Sequence, residues 1–295
     1  MEEDVKQNYV TAGKVIQKAR EKARSMAEPG TSYKEIADVL EQLIRDEGLE
    51  PAFPVNTSNR EEAAHYSPGT STDRKVEKND VLKIDIGAHC NGYIADTSVT
   101  VNPSGEYSDM IEANKEVLRK ALEFLEPGKT VGELGTFIEN QVPERYSVVR
   151  NLTGHSLDQY TQHAGLSIPN YRNTSSAVFE KGDAVAIEPF LSTGSGKIRE
   201  GKNGNIYLEK GGNVRGRTER QLLKKIEGFE GLPFTPRWIE GFSGRQKMAL
   251  KKLVQAGAVK SYPILKERDN AVVTQAEHTV LVGVDDGENI VTTRP

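Results

Sequence analysis

Cysteine is nearly missing from the 295-residue chain: Cys90 is the single one. An internal disulfide is therefore excluded, and the composition suits a reducing cytoplasm. No apolar run approaches the roughly 20 residues needed to span a bilayer, so no membrane partner is expected. The first residues, MEEDVKQNYV, show no apolar segment behind a basic start. Secretion is not expected on that pattern, and a cytoplasmic location is. Positive charge is not in excess either. The formal net charge is −4, so charge alone does not make the whole chain a nucleic-acid binder. Histidine is scarce, with 5 in all; each of His65, His89, His155, His163 and His278 is worth placing. What is there, 36% hydrophobic and 28% charged residues, is a globular composition. The length allows one large domain or two smaller ones.

The chain repeats itself once. Glu77–Asp85, read EKNDVLKID, resembles Glu180–Glu188, read EKGDAVAIE, and each copy ends on a carboxylate. A second pair lies upstream at nearly the same offset. Glu28-Pro29-Gly30 precedes a helical pattern through Ile36, Leu40 and Leu43; Glu126-Pro127-Gly128 precedes one through Leu134, Phe137 and Ile138. EPG is a common turn and K-x-D a common strand entry, but matching order and offset favour a duplication. Residues 9–27 and 109–125 read as the opening helix of each half. Two such halves give an α+β fold, with a sheet and helices on one side of it. Carboxylates at the same strand position in each half would converge at their interface.

Strands are expected over 81–86 and 93–101, joined at Asn91-Gly92, a strong hairpin signal. A two-residue loop pairs Cys90 with Tyr93. It then sets Gly87 opposite Asp96 and Asp85 opposite Ser98. Asp85 and Asp96 become diagonal neighbours on one face, roughly 7–8 Å apart at the backbone. Gly87 is read as open space between them, where a cation could sit. Two bare carboxylates on a buried face would repel, and a divalent cation removes that repulsion. A solvated hairpin face is the plainer explanation of two aspartates alone.

Three more residues join them. His155 follows a glycine in Leu152–Ser156. Glu188 interrupts the apolar run 184–190, and Glu277 interrupts 272–282. Glutamate is depleted in strands, and a buried carboxylate needs a partner. Singly, each is explained as well by a buried salt bridge or a solvent-facing edge strand. Together, four carboxylates and one imidazole suit two divalent ions bridged by a hydroxide.

The stretches KIDIGAHCNGYIADTSVTV, LTGHSLDQYTQHAG, AIEPF and QAEHTVLV closely resemble the methionine aminopeptidases. The order Asp, Asp, His, Glu, Glu is that of the wider pita-bread metallopeptidase fold. Phe53–Asn56 followed by His65–Pro68 is similar to the type 2 branch. The resemblance implies a pita-bread fold with pseudo-twofold repeated halves around a mainly antiparallel sheet. It also implies that Asp85 and Asp96 hold one metal, and that Asp96, His155, Glu188 and Glu277 hold the other. Asp96 and Glu277 would bridge. The long gap between Glu188 and Glu277 resembles the helical, winged-helix-like insertion of type 2 enzymes. The expected division is a catalytic domain over 1–194 and 266–295, with an inserted helical subdomain over 195–265. Helices are expected over 217–229 and 244–256, with Gly257 as C-cap. The insertion is basic. A solvated face is the preferred explanation, and contact with ribosomal RNA or the exit-tunnel region is the sharper one.

By the same resemblance the reaction is removal of the initiator methionine from nascent polypeptide N-termini, by attack of a metal-bridging hydroxide. Glu188 would be the general base. His65 and His163 would bind the peptide and stabilise the tetrahedral intermediate. Phe53 is a candidate for the methionine pocket, whose lining departs from the type 2 pattern at Gln162. His89 and His278 have no such match and are read as structural. His278 should point away from its neighbour Glu277. Two divalent ions (Co, Mn, Fe or Zn) are expected, in a monomer. The rivals are a prolidase or aminopeptidase P, which carry a large extra N-terminal domain, and a non-catalytic RNA- or ribosome-binding relative, which loses ligands.

Overall fold

Apolar residues at helical spacing near the N-terminus form α1 (Glu3–Met26), which carries Ala12, Ile16, Ala19 and Ala23 into the core. The computed structural model describes residues 1–212 and 214–294. Asn213 and Pro295, within the expected insertion and catalytic domain, lie outside the described residues. α2 (Tyr33–Asp46) starts at Ser32, whose hydroxyl accepts from the Lys34 N–H. α3 (Ser108–Phe124) and α4 (Val131–Gln141) follow. Thr130 and Glu133 form a capping box at the start of α4.

The two helix pairs cover two antiparallel sheets. Under α1 and α2 lie the strands Leu82–Cys90 and Tyr93–Val101, with Glu50–Pro51 and Asn56–Asn59 beside the first. Leu82, Ile84, Ile86 and Ala88 meet Ile36, Leu40 and Ile44 of α2 there. Under α3 and α4 lies a five-stranded sheet that includes Thr153–Leu157, Ala184–Ile187 and His278–Asp285. Val185, Ile187, Val280 and Val282 pack there against Leu118, Leu122, Leu134 and Ile138. Alternation along each strand turns Asp85, Asp96 and their neighbours to the face away from the helices.

The duplication is visible in the hydrogen bonds. Gly30 N–H donates to Val76 O and Gly128 N–H to Phe179 O, both at 2.8 Å. Glu77 N–H donates to Asp80 Oδ2 at 2.9 Å, and Glu180 N–H to Asp183 Oδ2 at 2.8 Å. Isolated bridges join Ser32 to Lys75 and Thr130 to Val178. These are corresponding positions of the two copies, so the halves repeat in structure as well as in sequence. A further bridge, between Ser98 and Glu277, joins the halves to each other.

The segment 195–265 contains α5 (Arg217–Ile226) and α6 (Gly244–Gln255). Gly257, at φ 73°, takes the left-handed conformation that ends α6. Leu222, Ile226, Leu250 and Leu253 share a small core with Phe234 and Val259. The segment also holds the long strand Ile198–Glu209, paired with Val259–Glu267, which runs past the expected boundary at 265; both strands are absent from the sequence reading. Arg199–Gly204 (REGKNG) offers no apolar alternation, and the pairing shifts register twice, so no period-2 signal exists to find. The second of these strands pairs with Glu62–Ala64 and ties the segment to the first half.

Candidate metal centre

The Asn91-Gly92 turn has φ of 52° and 87°. Both central residues are left-handed, the type I′ geometry that suits a two-residue hairpin. The resulting register is Cys90↔Tyr93, Gly87↔Asp96 and Asp85↔Ser98, as the sequence implies. Gly87 does not leave open space, however. A Cβ there would lie 2.2 Å from Phe53 Cε1, so the ring of Phe53 fills the gap between the two aspartates. Glycine is what lets that ring approach the strand.

Glu188 and Glu277 do not sit inside continuous strands. Ala184–Ile187 stops before Glu188 and resumes at Phe190; Val273–Gln275 stops before Ala276 and resumes at His278. Pro189 has no N–H to give to a ladder, which accounts for the first break. The register on either side, Ile187↔His278 and Phe190↔Gln275, sets Glu188 opposite Glu277. His155 lies in the strand Thr153–Leu157.

A cavity of about 200 Å³ is lined by Asp85, Asp96, His155, Glu188 and Glu277, together with Phe53, His65 and His163. All eight residues singled out from the sequence therefore meet in one place. Ligand atoms of Asp96, His155 and Glu277 lie within 4.8 Å of one another. His155 Nε2 is 3.9 Å from Asp96 Oδ2 and 3.7 Å from Glu188 Oε1. His155 Nδ1 faces the carbonyl of Ser156 at 3.4 Å, which sets the ring proton on that nitrogen and leaves the Nε2 lone pair toward the carboxylates. Burial, aided by His163, lowers the His155 pKa to about 3, so the ring is neutral at neutral pH.

Lone pairs thus face lone pairs. Oδ1 of Asp85 and Oδ1 of Asp96 are buried without a hydrogen-bond partner. Burial raises Asp85 to about 7. Burial, then repulsion from the neighbouring carboxylates, raises Asp96 and Glu277 well above the usual range. Burial and Asp85 do the same to Glu188. Such a cluster is unstable as bare anions, and divalent cations are what its donor set fits.

Sequence reasoning missed two members of this site. Gln275 Nε2 donates to Glu277 Oε2 at 3.3 Å and approaches Glu188 Oε2 at 3.5 Å. Its place two residues before Glu277 puts it on the same strand face, a signal that was available. Tyr262 packs edge-on against His65 with ring centroids 5.3 Å apart. It comes from the long strand 259–267, which the sequence reading did not include. His65 itself has φ 64°, and burial lowers its pKa to about 4. The rings of His155 and His163 are 4.3 Å apart. His89 and His278 lie elsewhere. His89 Nδ1 accepts from Gly92 N–H at 3.1 Å, and His278 Nδ1 is 2.7 Å from Thr293 Oγ1.

Known proteins share both sequence and fold. The chain is 39% identical to a methionine aminopeptidase of Methanocaldococcus jannaschii, covering 99% of this chain and 100% of that one. It is 43% identical to a methionine aminopeptidase of Pyrococcus abyssi, over 94% of this chain and 96% of that one. Among solved structures, a thermophilic Arx1 superposes with a TM-score of 0.88 at 17% identity, covering 100% of this chain and 92% of that one. A methionine aminopeptidase from Thermotoga maritima superposes with a TM-score of 0.71 at 20% identity, covering 100% and 98%. These likenesses show the shared pita-bread fold. A family model for metallopeptidase family M24 matches residues 7–282, and with relatives this similar along nearly its whole length, the chain belongs to that family.

Proposed function

We infer that the chain is a metal-dependent aminopeptidase that removes the initiator methionine from nascent polypeptide N-termini. The observation that carries this reading is the cavity where four carboxylates and the Nε2 lone pair of a neutral imidazole converge with no protein cation among them. Asp85, Asp96, His155, Glu188 and Glu277 would hold two divalent ions, with Asp96 and Glu277 touching both. Cobalt, manganese, iron and zinc all suit this donor set. When bound, the ions supply Lewis acidity that polarises the scissile carbonyl and acidifies the attacking water.

The chain's own residues do the rest. Glu188, on the cavity wall, takes the proton from the attacking water and passes it to the leaving amine. Its raised affinity for a proton suits that shuttle. His163 and His65 donate hydrogen bonds to the substrate carbonyl as negative charge develops on it. Tyr262 steadies the ring of His65. Phe53, wedged over Gly87, offers the methionine side chain an apolar wall. Gln275 keeps Glu188 and Glu277 oriented.

We assign 195–265 as the inserted subdomain and the remainder as the catalytic domain, acting as a monomer in the cytoplasm. Among the described residues no helix is long and apolar enough to cross a membrane. α5 and α6 expose Arg217, Arg220, Lys224, Lys225, Arg245 and Lys247. An acidic surface such as ribosomal RNA would meet them there, and filter binding to structured RNA tests that contact.

The deciding experiment is hydrolysis of Met-Ala-Ser by protein reconstituted with each metal, beside Xaa-Pro dipeptides. Methionine release that depends on added metal, with no cleavage of Xaa-Pro, is the expected result. Cleavage confined to Xaa-Pro would make the chain a prolidase.

A further inference from the structure

A second cavity, of about 250 Å³, opens between α1 and α3 on the helix side of the sheets, behind the carboxylate cluster. Its walls carry five cationic side chains: Arg20, Arg24, Lys115, Arg119 and Arg294. Glu277 also borders it, but only from behind. Its carboxylate lies on the other side, with Asp96 and His155, where Gln275 donates to it. Arg24, Lys115 and Arg119 each pair with acids of their own helices, namely Glu21, Glu112, Glu116 and Glu123. None of those acids lines the cavity.

Arg20 is only 7% exposed, and its Nε is buried with no hydrogen-bond partner. The nearest acid, Glu21, is 4.0 Å from that nitrogen, too far for a hydrogen bond. A buried guanidinium donor without a partner is costly and calls for an acceptor. His278 adds a second donor. Its Nδ1 lies 3.2 Å from Arg20 Nη1 and 2.7 Å from Thr293 Oγ1. Arginine can only donate, so Nδ1 accepts and the ring proton sits on Nε2. His278 lines the cavity, so that N–H is available to it.

We propose that this cavity is a binding site for a phosphate-type oxyanion, either the free ion or a phosphate monoester. With Nη1 held by Thr97 and His278, the Nε–Nη2 edge of Arg20 is the side left to donate to two oxygens of such a group, and His278 Nε2–H would offer a further donor. The arginines and lysine at the rim draw the anion in. Arg20 Nη1 also donates to Thr97 Oγ1, which donates to Glu277 O, so a hydrogen-bonded chain joins the cavity to the backbone of Glu277.

The test is calorimetric titration of the metal-loaded protein with inorganic phosphate and with glycerol 2-phosphate, at ionic strength fixed with chloride. The same titrations are run on Arg119→Gln, Arg294→Gln, Arg20→Lys and His155→Ala. Phosphate can also bind a metal centre, and His155→Ala separates the two sites. Binding that survives His155→Ala, weakens about tenfold in Arg20→Lys with the loss of a charged hydrogen bond, and weakens in the same direction in Arg119→Gln and Arg294→Gln with the loss of rim charge supports the proposal. Arg119→Gln changes a half-buried side chain at the helix surface and Arg294→Gln an exposed one, so they stay informative if Arg20→Lys does not fold. Tighter binding of glycerol 2-phosphate than of phosphate points to an esterified ligand, and equal binding to the free ion. No binding, or binding lost in His155→Ala and unchanged in the arginine variants, overturns it.

Discussion

Ser98 and Glu277 stand opposite each other across the join between the two halves. Ser98 lies across the first hairpin from Asp85, and Glu277 lies across from Glu188. Since Asp85 and Glu188 are the repeated carboxylates, Ser98 and Glu277 are themselves counterparts, and the pseudo-twofold axis passes between them. Asp96 and Thr279 meet at the same join. Asp96 N–H donates to Thr279 Oγ1 at 2.7 Å, and that hydroxyl donates to Asp96 O at 2.9 Å. The carboxylate cluster is thus built on the seam of the duplication.

Thr279→Val keeps the shape of the side chain and removes both of those bonds. It leaves the buried N–H of Asp96 without a partner, at a cost of about 1–3 kcal/mol. Urea denaturation of the metal-free variant should show that loss, and Thr279→Ser should recover most of it. Unchanged stability in Thr279→Val would mean that the seam is held by packing alone.

The symmetry also divides the expected work of the ligands. Asp85 and Glu188 approach from opposite halves, so each should serve mainly one ion. Asp85→Asn and Glu188→Gln should each leave the pair half filled in a calorimetric metal titration. Asp96→Asn and Glu277→Gln should empty it, because in the proposed site both ions would depend on these two carboxylates. Equal loss in all four variants would contradict this division.

The roles proposed for His155 and His163 separate binding from chemistry. His155→Ala should lower metal content and activity together. His163→Ala should keep its metal and lose roughly 10²–10³ in turnover, the scale for one transition-state donor. Metal analysis beside turnover on Met-Ala-Ser distinguishes them. A metal-poor His163→Ala would mean that the two roles are exchanged.

How much of this was legible depended on local signals. Asn91-Gly92 fixes a register because a two-residue turn allows one pairing, so the placement of Asp85 against Ser98 followed from the sequence. The repeat fixed the helix pairs in the same way. What neighbours do to a gap is not a local signal. Gly87 looked open from its own strand, yet Phe53, far away in the chain, fills the space. Glu188 and Glu277 were visible as charges interrupting apolar runs, but the breaks in the strands beside them depend on Pro189 and on the join with the other half. The strands 198–209 and 259–267 are held by pairing with each other and with Glu62–Ala64, which no single segment reveals.

The carboxylate cluster should make the metal-free protein respond to pH in an unusual direction. Burial holds Asp85 at about 7, against an ordinary value of 3.8. Asp96, Glu188 and Glu277 are raised in the same direction by burial and mutual repulsion. Between the ordinary carboxylate range and about 7, the folded state therefore binds more protons than the unfolded one. Stability then falls as pH rises through that window; the contribution is complete below the ordinary carboxylate range and lost above the folded values. Metal ions replace those protons, so metal affinity should change the other way and weaken as pH falls below about 7. Thermal melts from pH 5 to 8, with chelator and with added metal, test both signs. The chelated protein should melt at progressively lower temperature toward pH 8, and the stabilisation gained from metal should grow over the same range. A chelated protein that gains stability toward pH 8 would show that the carboxylates are already ionised and compensated without metal.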